Sequence, residues 1–375
     1  MLDFNAWPTP AYIIDEAKLI ENLSFLKSIE ERTGCSILLA QKCFSCYSLY
    51  PLIGSYLAGT AASGLYEARL AHEEMGRENH VFAPAYKKKD MAELVKIADH
   101  IVFNSLAQYH EHYEACKNAG VSMGLRINPE CSTQSHAIYD PCAAFSRLGI
   151  RRDVLPDKLP DGVEGLHFHT LCEQNADALI KTFKAVEAKF GSYFPALKWL
   201  NLGGGHYITH ADYDVKALEE LLLYIKNKYK LKVYLEPGEA VVLNAGYLAS
   251  EVLDIVHNGM DILILDISAA CHMPDVLEMP YLPPLHGAYP AGEKPYTYRL
   301  SSVTCLAGDV IGDYSFAGPV KVGDKLFFED MALYTMVKNN TFNGMPLPDI
   351  WILRRDERRE LLHRFGYADF KGRLA

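Results

Sequence analysis

The sequence predicts an α/β protein in which a (β/α)8 TIM barrel is joined to a second, mainly β domain. Short apolar runs alternate with amphipathic segments through the first two-thirds of the chain, and eight such runs fall within about 210 residues. Alternation of this kind indicates parallel strands, because each parallel neighbour needs a crossover connection. Eight strands with eight crossovers favour a closed barrel. After about residue 243 the alternation stops and a different pattern begins.

The predicted barrel strands are apolar runs of three to five residues: Ile37–Gln41, Gly59–Ala62, Val81–Ala83, Ile101–Phe103, Met123–Ile127, Gly165–His169, Trp199–Leu202 and Val233–Leu235. Helical periodicity lies between them, for example over Tyr66–Glu74, Leu106–Lys117, Ala176–Phe190 and Val215–Lys228. An open, doubly wound sheet is the alternative arrangement. It is less favoured because no G-x-G-x-x-G follows the first strand.

The last third of the chain predicts strands separated by turns and proline-rich connections. The predicted strands are Met260–Ile267, Tyr296–Thr304 and Lys325–Glu329. Glycine next to aspartate predicts a turn at Gly312–Asp313, and a clear helical pattern is expected only at Ile350–Phe365.

The predicted domain organisation follows from this change of pattern. The barrel, which carries the predicted cofactor site, is expected over residues 16–242. The β-rich domain is expected to combine residues 1–15 with residues 243–375, because the run Pro10–Ile14 is also typical of a strand. The chain would then begin in the β domain, build the barrel, and return.

Composition limits the classes of function. The net charge is -10 and no basic block occurs, which argues against a nucleic-acid partner because phosphate binding needs a basic surface. No apolar run reaches membrane-spanning length, so no membrane association is expected. The nine cysteines are scattered and odd in number, and no signal-peptide pattern is present. These features predict reduced thiols in a cytoplasmic protein.

Side chains with useful chemistry follow the predicted barrel strands. Barrel enzymes keep their active sites at the carboxyl ends of the strands. The residues at those ends are Lys42, Ser63, Arg126, His169, Gly203–Gly205 and Glu236–Gly238. The set supplies an amine, an imidazole, a carboxylate and two glycine turns, and the last loops of such barrels often bind phosphate. Taken together, the set predicts an active site at one end of the barrel.

Each of these residues also has a simpler structural interpretation. A lysine at a strand end is usually solvated, and His167 and His169 share a strand face, so either is a candidate core histidine. Cys43 and Cys46 form a C-x-x-C pair, but no second pair follows at zinc-site spacing. Small thiols beside a turn are the favoured interpretation of this pair, and no metal site is predicted.

Seven ordered motifs along the chain resemble the fold-type III pyridoxal-phosphate decarboxylases. This alanine-racemase-like family includes the ornithine and diaminopimelate decarboxylases. The motifs are Thr9–Tyr12, Ala40–Lys42, Phe168–His169, Gly203–Gly205, Glu236–Gly238, Thr304–Asp309, and Asp330–Thr335 with Thr341–Gly344. The segments Leu166–Glu173, Glu236–Ala240 and Cys305–Asp309 are similar to the branch that decarboxylates carboxynorspermidine. The resemblance implies pyridoxal 5'-phosphate as cofactor and a homodimer with shared active sites.

The resemblance also implies a role for individual positions. Catalytic roles fall to Lys42 as the Schiff-base lysine, His169 stacked on the cofactor ring, and Cys305 as proton donor. Glu236 would bind the ring nitrogen and Arg126 would lie near the ring, while Gly205, Gly238 and Tyr334 would hold the phosphate. Asp266 would bind the distal substrate amine, and Cys305 and Asp309 would reach the neighbouring subunit's site.

Two departures from the family pattern bear on the substrate. Glu239 stands where many relatives have arginine after Glu-Pro-Gly, and the segment after His169 lacks a Gly-Ser-Gly. The missing arginine argues against a plain diaminopimelate decarboxylase. A small cationic amino acid fits the acidic chain, with Asp266, Asp309 and Asp313 as candidate partners, although a simple turn is the favoured interpretation of Asp313.

Three other functions are compatible with the same scaffold. A diaminopimelate or ornithine-type decarboxylase shares the cofactor and the lysine. An amino-acid racemase would need a second base, commonly a tyrosine, at the place where this chain has Cys305. A non-enzymatic pyridoxal-phosphate-binding or regulatory protein would not need both Lys42 and Cys305, and both are present.

Overall fold

The computed structural model describes residues 6–375. The chain divides into two compact units, one formed by residues 21–241 and the other by residues up to 20 together with residues 242–375. The first unit contains a closed parallel barrel and the second a nine-stranded sheet. The predicted fold class, a (β/α)8 barrel with a second, mainly β domain, is confirmed.

The barrel consists of eight parallel strands in sequence order. They are β2 (Ser36–Ala40), β3 (Gly59–Ala62), β4 (Glu78–Phe82), β5 (His100–Phe103), β6 (Ser122–Arg126), β7 (Val163–His167), β8 (Trp199–Asn201) and β9 (Lys232–Leu235). Pairing of Ser36 with Tyr234 and of Ile37 with Leu235 closes the ring between β2 and β9. All eight predicted strands are confirmed, with ends that differ by three residues or fewer.

Helices precede or follow most of the barrel strands, and the longer ones bury one face. They are α1 (Glu16–Thr33), α2 (Tyr50–Gly54), α3 (Leu65–Glu74), α4 (Lys88–Ile97), α5 (Leu106–Ala119), α6 (Ala176–Phe190), α7 (Val215–Tyr229) and α8 (Glu239–Val242). In α6 the buried residues Leu179, Phe183, Val186 and Phe190 recur at helical spacing, which makes the apolar stripe that packs inward. Within residues 6–375, no helix combines the length and apolarity needed to cross a bilayer.

Large side chains fill the barrel interior. Leu38, Val102, Trp199 and Tyr234 form a buried cluster there. The indole N–H of Trp199 donates to the hydroxyl of Ser122 at 2.9 Å, so this buried polar group is satisfied. The interior is thus a packed core, as is typical of such barrels, and the chemistry is confined to the strand ends.

The second unit is built on a sheet with the order β12-β14-β13-β11-β10-β1-β16-β17, and β15 also pairs with β10. Its strands are β1 (Ala11–Asp15), β10 (Gly246–His257), β11 (Asp261–Leu265), β12 (Ala288–Pro290), β13 (Tyr296–Ser302), β14 (Val310–Phe316), β15 (Lys325–Glu329), β16 (Asp349–Leu353) and β17 (Arg359–His363). Its short helices are α9 (Ala269–His272), α10 (Asp275–Glu278), α11 (Thr335–Lys338) and α12 (Tyr367–Gly372).

The N-terminal strand belongs to this sheet, as the sequence predicts. Strand β1 pairs antiparallel with β10 and parallel with β16. Its residues are all buried, because both faces are covered by other side chains. The two ends of the chain therefore meet in one sheet.

Two predictions for the last third of the chain are wrong. The expected helix over Ile350–Phe365 is instead the hairpin of β16 and β17, and the helix begins later, at Tyr367. The first strand of this hairpin, β16, is rich in β-branched and aromatic residues, and it pairs with the distant strand β1. Gly312–Asp313 is not a turn but lies inside β14, where Asp313 faces Arg299 of β13. In both places a partner remote in sequence overrides the local signal.

Candidate active site

Lys42 and His169 meet at the carboxyl end of the barrel strands. Lys42 lies two residues beyond β2 and His169 two residues beyond β7. The Lys42 ammonium Nζ is 3.3 Å from Nε2 of His169. The other ring nitrogen, Nδ1, lies 3.0 Å from the backbone nitrogen and 3.1 Å from the carbonyl oxygen of Gly204, and this places Nε2 towards the lysine. Among residues 6–375 the Glu67 carboxylate interacts with Lys42 electrostatically, but no ion pair at hydrogen-bond distance joins them.

Glu236 lies immediately beyond β9 and is held at both carboxylate oxygens. Oε1 accepts from the Asn201 amide at 2.7 Å, and Oε2 is 3.2 Å from Nε2 of His167. Burial alone would raise the pKa of Glu236, but the interactions with His167 and Asn201 lower it to about 2. Glu236 is therefore a fixed carboxylate at neutral pH, aimed and held by two neighbouring strands.

Burial lowers the pKa of the three imidazoles of the site, which favours their neutral form. Burial, followed by the charges of Lys42 and Arg126, holds the pKa of His169 well below its usual range. Burial also lowers the pKa of His167, and it lowers that of His206 to about 4. A neutral ring can pack against an aromatic group without the desolvation cost of a buried cation.

Arg126, the last residue of β6, brings a buried positive charge to the same end of the barrel. Its guanidinium donates to the backbone carbonyl of His169 at 3.1 Å and lies 4.5 Å from the centre of the Phe82 ring. Burial lowers its pKa to about 10, with the charge of Glu236 opposing that shift. The group is thus still protonated at neutral pH.

The glycine turns after β8 and β9 are packed too tightly for a side chain. Gly205 has a φ of +78°, and an added Cβ would lie 2.0 Å from the carbonyl oxygen of Leu171. At Gly238 a Cβ would lie 2.4 Å from Cβ of Cys43. Backbone in such turns exposes N–H groups at the rim, the arrangement that barrels use for phosphate.

Some supporting residues were missed by sequence reasoning. Asn201, which holds Glu236, is the last residue of β8, and an amide on a buried strand just before a glycine turn is the signal that points to it. Glu67 accepts the backbone N–H of Ser63 at 2.5 Å and interacts electrostatically with Lys42. Burial raises the pKa of Glu67. Glu67 lies within a helix, so no pattern distinguishes it from an ordinary surface glutamate.

Cys43 and Cys46, beside the lysine, are buried and form no disulfide. Burial raises the pKa of Cys46 to about 12. A thiol that resists ionisation is a poor nucleophile and a poor metal ligand. Cys46 thus packs as a small apolar group close to Lys42 in sequence.

In the second unit, Cys305 and Tyr334 occupy turns. Cys305 is exposed beyond the end of β13, and its backbone N–H donates to the Asn343 side chain at 3.0 Å. Tyr334 precedes α11 with a φ of +49°. Positive φ at a non-glycine residue is uncommon and marks positions held by their surroundings.

The three candidate aspartates of this unit are all engaged. Asp266, after β11, accepts from the Ser250 hydroxyl at 2.9 Å and the Glu251 N–H at 2.8 Å, and burial raises its pKa. Asp309 is buried, with 1% of its surface exposed. Asp313 forms a two-point ion pair with Arg299 at 2.8 and 3.0 Å across strands β13 and β14.

Another polar cluster lies at the opposite, amino end of the barrel strands. Ligand atoms of Glu78, His80 and His100 lie within 4.8 Å of one another. Lys232 and Tyr234 already donate to the Glu78 carboxylate at 2.8 and 2.9 Å. The two imidazoles are stacked, 3.9 Å apart and 10° from parallel, so their in-plane lone pairs cannot converge on one ion. The arrangement favours an ion-pair network over a metal site.

The groups at the carboxyl end fit pyridoxal phosphate. An aldehyde needs a primary amine, which Lys42 supplies, and a pyridine nitrogen that carries a proton needs a carboxylate, which Glu236 supplies. A flat ring needs a flat partner such as the His169 imidazole, and a phosphate needs the N–H groups of a glycine turn. Each requirement is met within the barrel unit.

The chain matches the family described as pyridoxal-dependent decarboxylase, C-terminal sheet domain, over residues 11–332. It is 43% identical to the carboxyaminopropylagmatine decarboxylase of Synechocystis over 98% of this chain and 95% of that protein. It is 42% identical to the carboxynorspermidine/carboxyspermidine decarboxylase of Campylobacter jejuni over 96% of this chain and 97% of that protein.

The solved structures agree with these relatives. The crystal structure of carboxynorspermidine decarboxylase from Campylobacter jejuni, complexed with norspermidine, matches with a TM-score of 0.93 and 41% identity, covering 98% of this chain and all of that one. Diaminopimelate decarboxylase from Helicobacter pylori shares the fold, with a TM-score of 0.79 and 17% identity over 98% of this chain and 97% of that one. The chain therefore belongs to the pyridoxal-phosphate-dependent decarboxylases of fold type III.

Proposed function

We propose that this enzyme decarboxylates carboxynorspermidine, and also carboxyspermidine, to form norspermidine and spermidine in polyamine biosynthesis. One observation carries the proposal: the near full-length likeness, at 41% identity and a TM-score of 0.93, to a carboxynorspermidine decarboxylase whose crystal structure contains norspermidine. The diaminopimelate decarboxylases among the structural neighbours are 16 to 19% identical, which indicates a common fold and no more.

Each of the barrel residues would have a separate role around the cofactor. When bound, pyridoxal phosphate withdraws the electrons left behind by the departing CO₂. In the proposal, Lys42 holds the cofactor between turnovers, Glu236 holds a proton on the ring nitrogen, and His169 lies against the ring. Arg126 adds a positive charge beside Glu236 and fixes the His169 backbone. Gly205, Gly238 and Tyr334 are the proposed phosphate contacts.

Release of CO₂ must be followed by protonation of the same carbon, and Cys305 is the proposed proton donor. Its exposed position on a turn suits a group that acts on something outside its own unit. We further propose a cytoplasmic homodimer in which Cys305 completes the partner's site. For the distal amine of the substrate, Asp266 is the proposed acceptor.

A second candidate substrate is carboxyaminopropylagmatine. The relative from Synechocystis that is named for it is 43% identical, essentially level with the relative from Campylobacter jejuni at 42%. The three named substrates are all carboxylated polyamine-like compounds. All three substrates would then use the same catalytic residues, and the residues around the distal amines would determine which substrate is preferred.

The direct test is CO₂ release by the purified enzyme with pyridoxal phosphate. The panel contains carboxynorspermidine, carboxyspermidine, carboxyaminopropylagmatine, meso-diaminopimelate and ornithine, with Lys42→Ala as the negative control. The proposal expects the highest kcat/KM for carboxynorspermidine or carboxyspermidine. Fastest turnover of carboxyaminopropylagmatine would reassign the substrate, and fastest turnover of diaminopimelate or ornithine would reject the assignment. Enantiomer interconversion without CO₂ release would indicate the racemase.

The shared-site dimer is tested separately by mixing two inactive variants. Lys42→Ala removes the amine and Cys305→Ala removes the thiol. If each site takes one residue from each subunit, refolded mixtures regain up to about a quarter of the wild-type activity, because half the dimers are mixed and each has one intact site. Mixtures that stay inactive, or a monomeric mass in light scattering, would contradict the proposed dimer.

A further inference from the structure

The loop that carries Cys305 is tied to a buried carboxylate in its own unit. Asp309 has 1% of its surface exposed, and four donors converge on its two oxygens. Oδ2 accepts from the hydroxyls of Ser268 at 2.5 Å, Ser302 at 2.7 Å and Thr304 at 2.5 Å. Oδ1 accepts the backbone N–H of Ala270 at 3.2 Å. We call Ser268, Ser302 and Thr304 the hydroxyl cage.

The hydroxyl cage joins two segments that are distant in sequence. Ser302 and Thr304 immediately precede Cys305, whereas Ser268 and Ala270 lie at the start of α9, more than 30 residues earlier. Asp309 closes the loop on itself as well, since its backbone N–H donates to Leu306 and its carbonyl accepts from Ser301 at 2.7 Å. Asp309 thus fixes the segment 302–309, with its carboxylate at one end and its backbone at the other.

A third segment completes a closed circuit of hydrogen bonds. The Asn340 side chain donates to the carbonyl of Ala270 at 2.8 Å and accepts the N–H of Phe342 at 2.9 Å. The neighbouring Asn343, at a φ of +56°, accepts the N–H of Cys305 at 3.0 Å. The path from Asp309 through Ala270 and Asn340 therefore returns to Cys305. Networks in which every member has a partner hold a single geometry.

We infer that Asp309 is a positioning residue for Cys305, and that it is not the ligand of a substrate amine suggested by the family pattern. A substrate ammonium would need a free acceptor, and both oxygens of this buried carboxylate are already occupied. The inference rests on the proposed role of Cys305 as proton donor. It deepens that role by identifying what sets the position of the thiol.

Correct protonation depends on position because the reacting electrons are shared with the cofactor. A proton delivered to the substrate carbon gives the amine product and regenerates the aldehyde form. A proton delivered to the cofactor carbon instead, followed by addition of water, releases a carbonyl product and leaves pyridoxamine phosphate. A displaced thiol would raise the fraction of this second outcome. A general loss of stability would not change the ratio of the two products.

The matched pair of variants is Thr304→Val, which removes one cage hydroxyl at nearly constant shape, and Thr304→Ser, which keeps it. Hydrogen exchange of the peptide covering 302–309 is expected to speed up about tenfold in Thr304→Val, the effect of losing one hydrogen bond to a carboxylate, while other barrel and sheet peptides stay unchanged. Thr304→Ser should match the wild type. This measurement needs no substrate.

The catalytic arm uses the same two proteins loaded with pyridoxal phosphate. For Thr304→Val we expect kcat to fall about tenfold with KM within twofold, and the yield of pyridoxamine phosphate per turnover to rise; Thr304→Ser should restore both. If Asp309 bound a substrate amine instead, Asp309→Asn would raise KM without changing the product ratio, and the inference would be wrong. Unchanged exchange in Thr304→Val would also overturn it.

A second cage variant covers the case in which Thr304→Val does not fold. Ser302→Ala removes a different hydroxyl from the same oxygen, and the same local exchange and product ratio are expected. If the wild type decarboxylates none of the substrates tested, the proposed function fails. The exchange comparison would still decide whether the carboxylate fixes the loop, so the two failures can be told apart.

Discussion

The two ends of the barrel carry similar residues in opposite states. Each end has a glutamate, a histidine that contacts it, and a lysine. At the amino end Lys232 is paired with Glu78 at 2.8 Å, and the rings of His80 and His100 stack on each other. At the carboxyl end Lys42 contacts only an imidazole among the side-chain hydrogen bonds of residues 6–375, and Glu236 takes its donors from an amide and a neutral ring.

The difference predicts that pairing, and not residue type, distinguishes the proposed active site from a structural network. A lysine paired with a carboxylate is held as a cation and cannot serve as a nucleophile. A lysine beside a neutral histidine is available to a ligand. The glycine turns after β8 and β9 lie at the carboxyl end, where their backbone N–H groups are the proposed phosphate donors, and this predicts where the cofactor binds.

The largest expected effect is the contrast between Lys42→Ala and Lys232→Ala, made in separate proteins. Lys42→Ala should lower decarboxylation by at least about a thousandfold and abolish the visible absorbance of the cofactor-loaded enzyme, because the attachment point is lost. Lys232→Ala should keep the absorbance and the activity, and should cost about 1 kcal/mol of stability as an exposed ion pair is removed. Normal absorbance in Lys42→Ala would refute the assignment of the site.

The second comparison uses the two glutamates. Glu236→Gln should lower kcat about a hundredfold, because the amide can accept from Asn201 or His167 but not from both, and it cannot hold a proton on the ring nitrogen. Glu78→Gln should leave kcat within about twofold. Steady-state kinetics of both variants, with circular dichroism as a folding control, measure the contrast. Equal losses in kcat would mean that the two ends are not functionally distinct.

A smaller effect is expected at the residue that aims Glu236. Asn201→Ala removes the amide donor at 2.7 Å but leaves His167 in place. We expect kcat to fall about tenfold and the affinity for pyridoxal phosphate, measured by fluorescence titration, to weaken. Asn201→Asp is the matched variant of similar shape, and it should be worse than alanine because two carboxylates would then face each other. A wild-type kcat in both variants would remove Asn201 from the account.

The smallest effect is a pH dependence of stability at the amino end. Burial, aided by His80, lowers the pKa of His100 to about 3, against about 6.5 in the unfolded chain. Between these values the unfolded state binds the extra proton, so stability is lost as the pH falls below about 6.5. Urea unfolding should show a smaller loss of stability between pH 7 and pH 5 in His100→Phe than in the wild type, by about 2 kcal/mol. An identical decrease in both proteins would contradict the assigned role.

The barrel was predictable because its signals are local. Each strand is a short apolar run flanked by a helical segment, and the rim residues Lys42, His169 and Glu236 follow those runs directly. The hairpin at residues 349–363 could not be predicted in this way, because β16 is defined by its pairing with β1, which lies more than 300 residues away in sequence. Apolar residues in that region suit either a helix or a strand until the partner is known.

The residues of the candidate site also fall into two groups, those with a local sequence signal and those without one. The residues proposed to touch the cofactor could be predicted from the sequence, because they stand in motifs at strand ends. The residues that hold them were not, because their roles arise from contacts between distant segments. Asn201 donates to Glu236 from the neighbouring strand. The hydroxyl cage combines Ser268 with Ser302 and Thr304 around Asp309. No local pattern encodes such contacts.

The most direct test of the account is the identity of the lysine that carries the cofactor. The purified enzyme is loaded with pyridoxal phosphate and reduced with borohydride, which fixes the cofactor to its lysine as a stable secondary amine, and the digested protein is analysed by mass spectrometry. We expect a pyridoxyl-phosphate adduct on the peptide that contains Lys42 and on no other. An adduct on Lys232 or another lysine, with Lys42 unmodified, would contradict it.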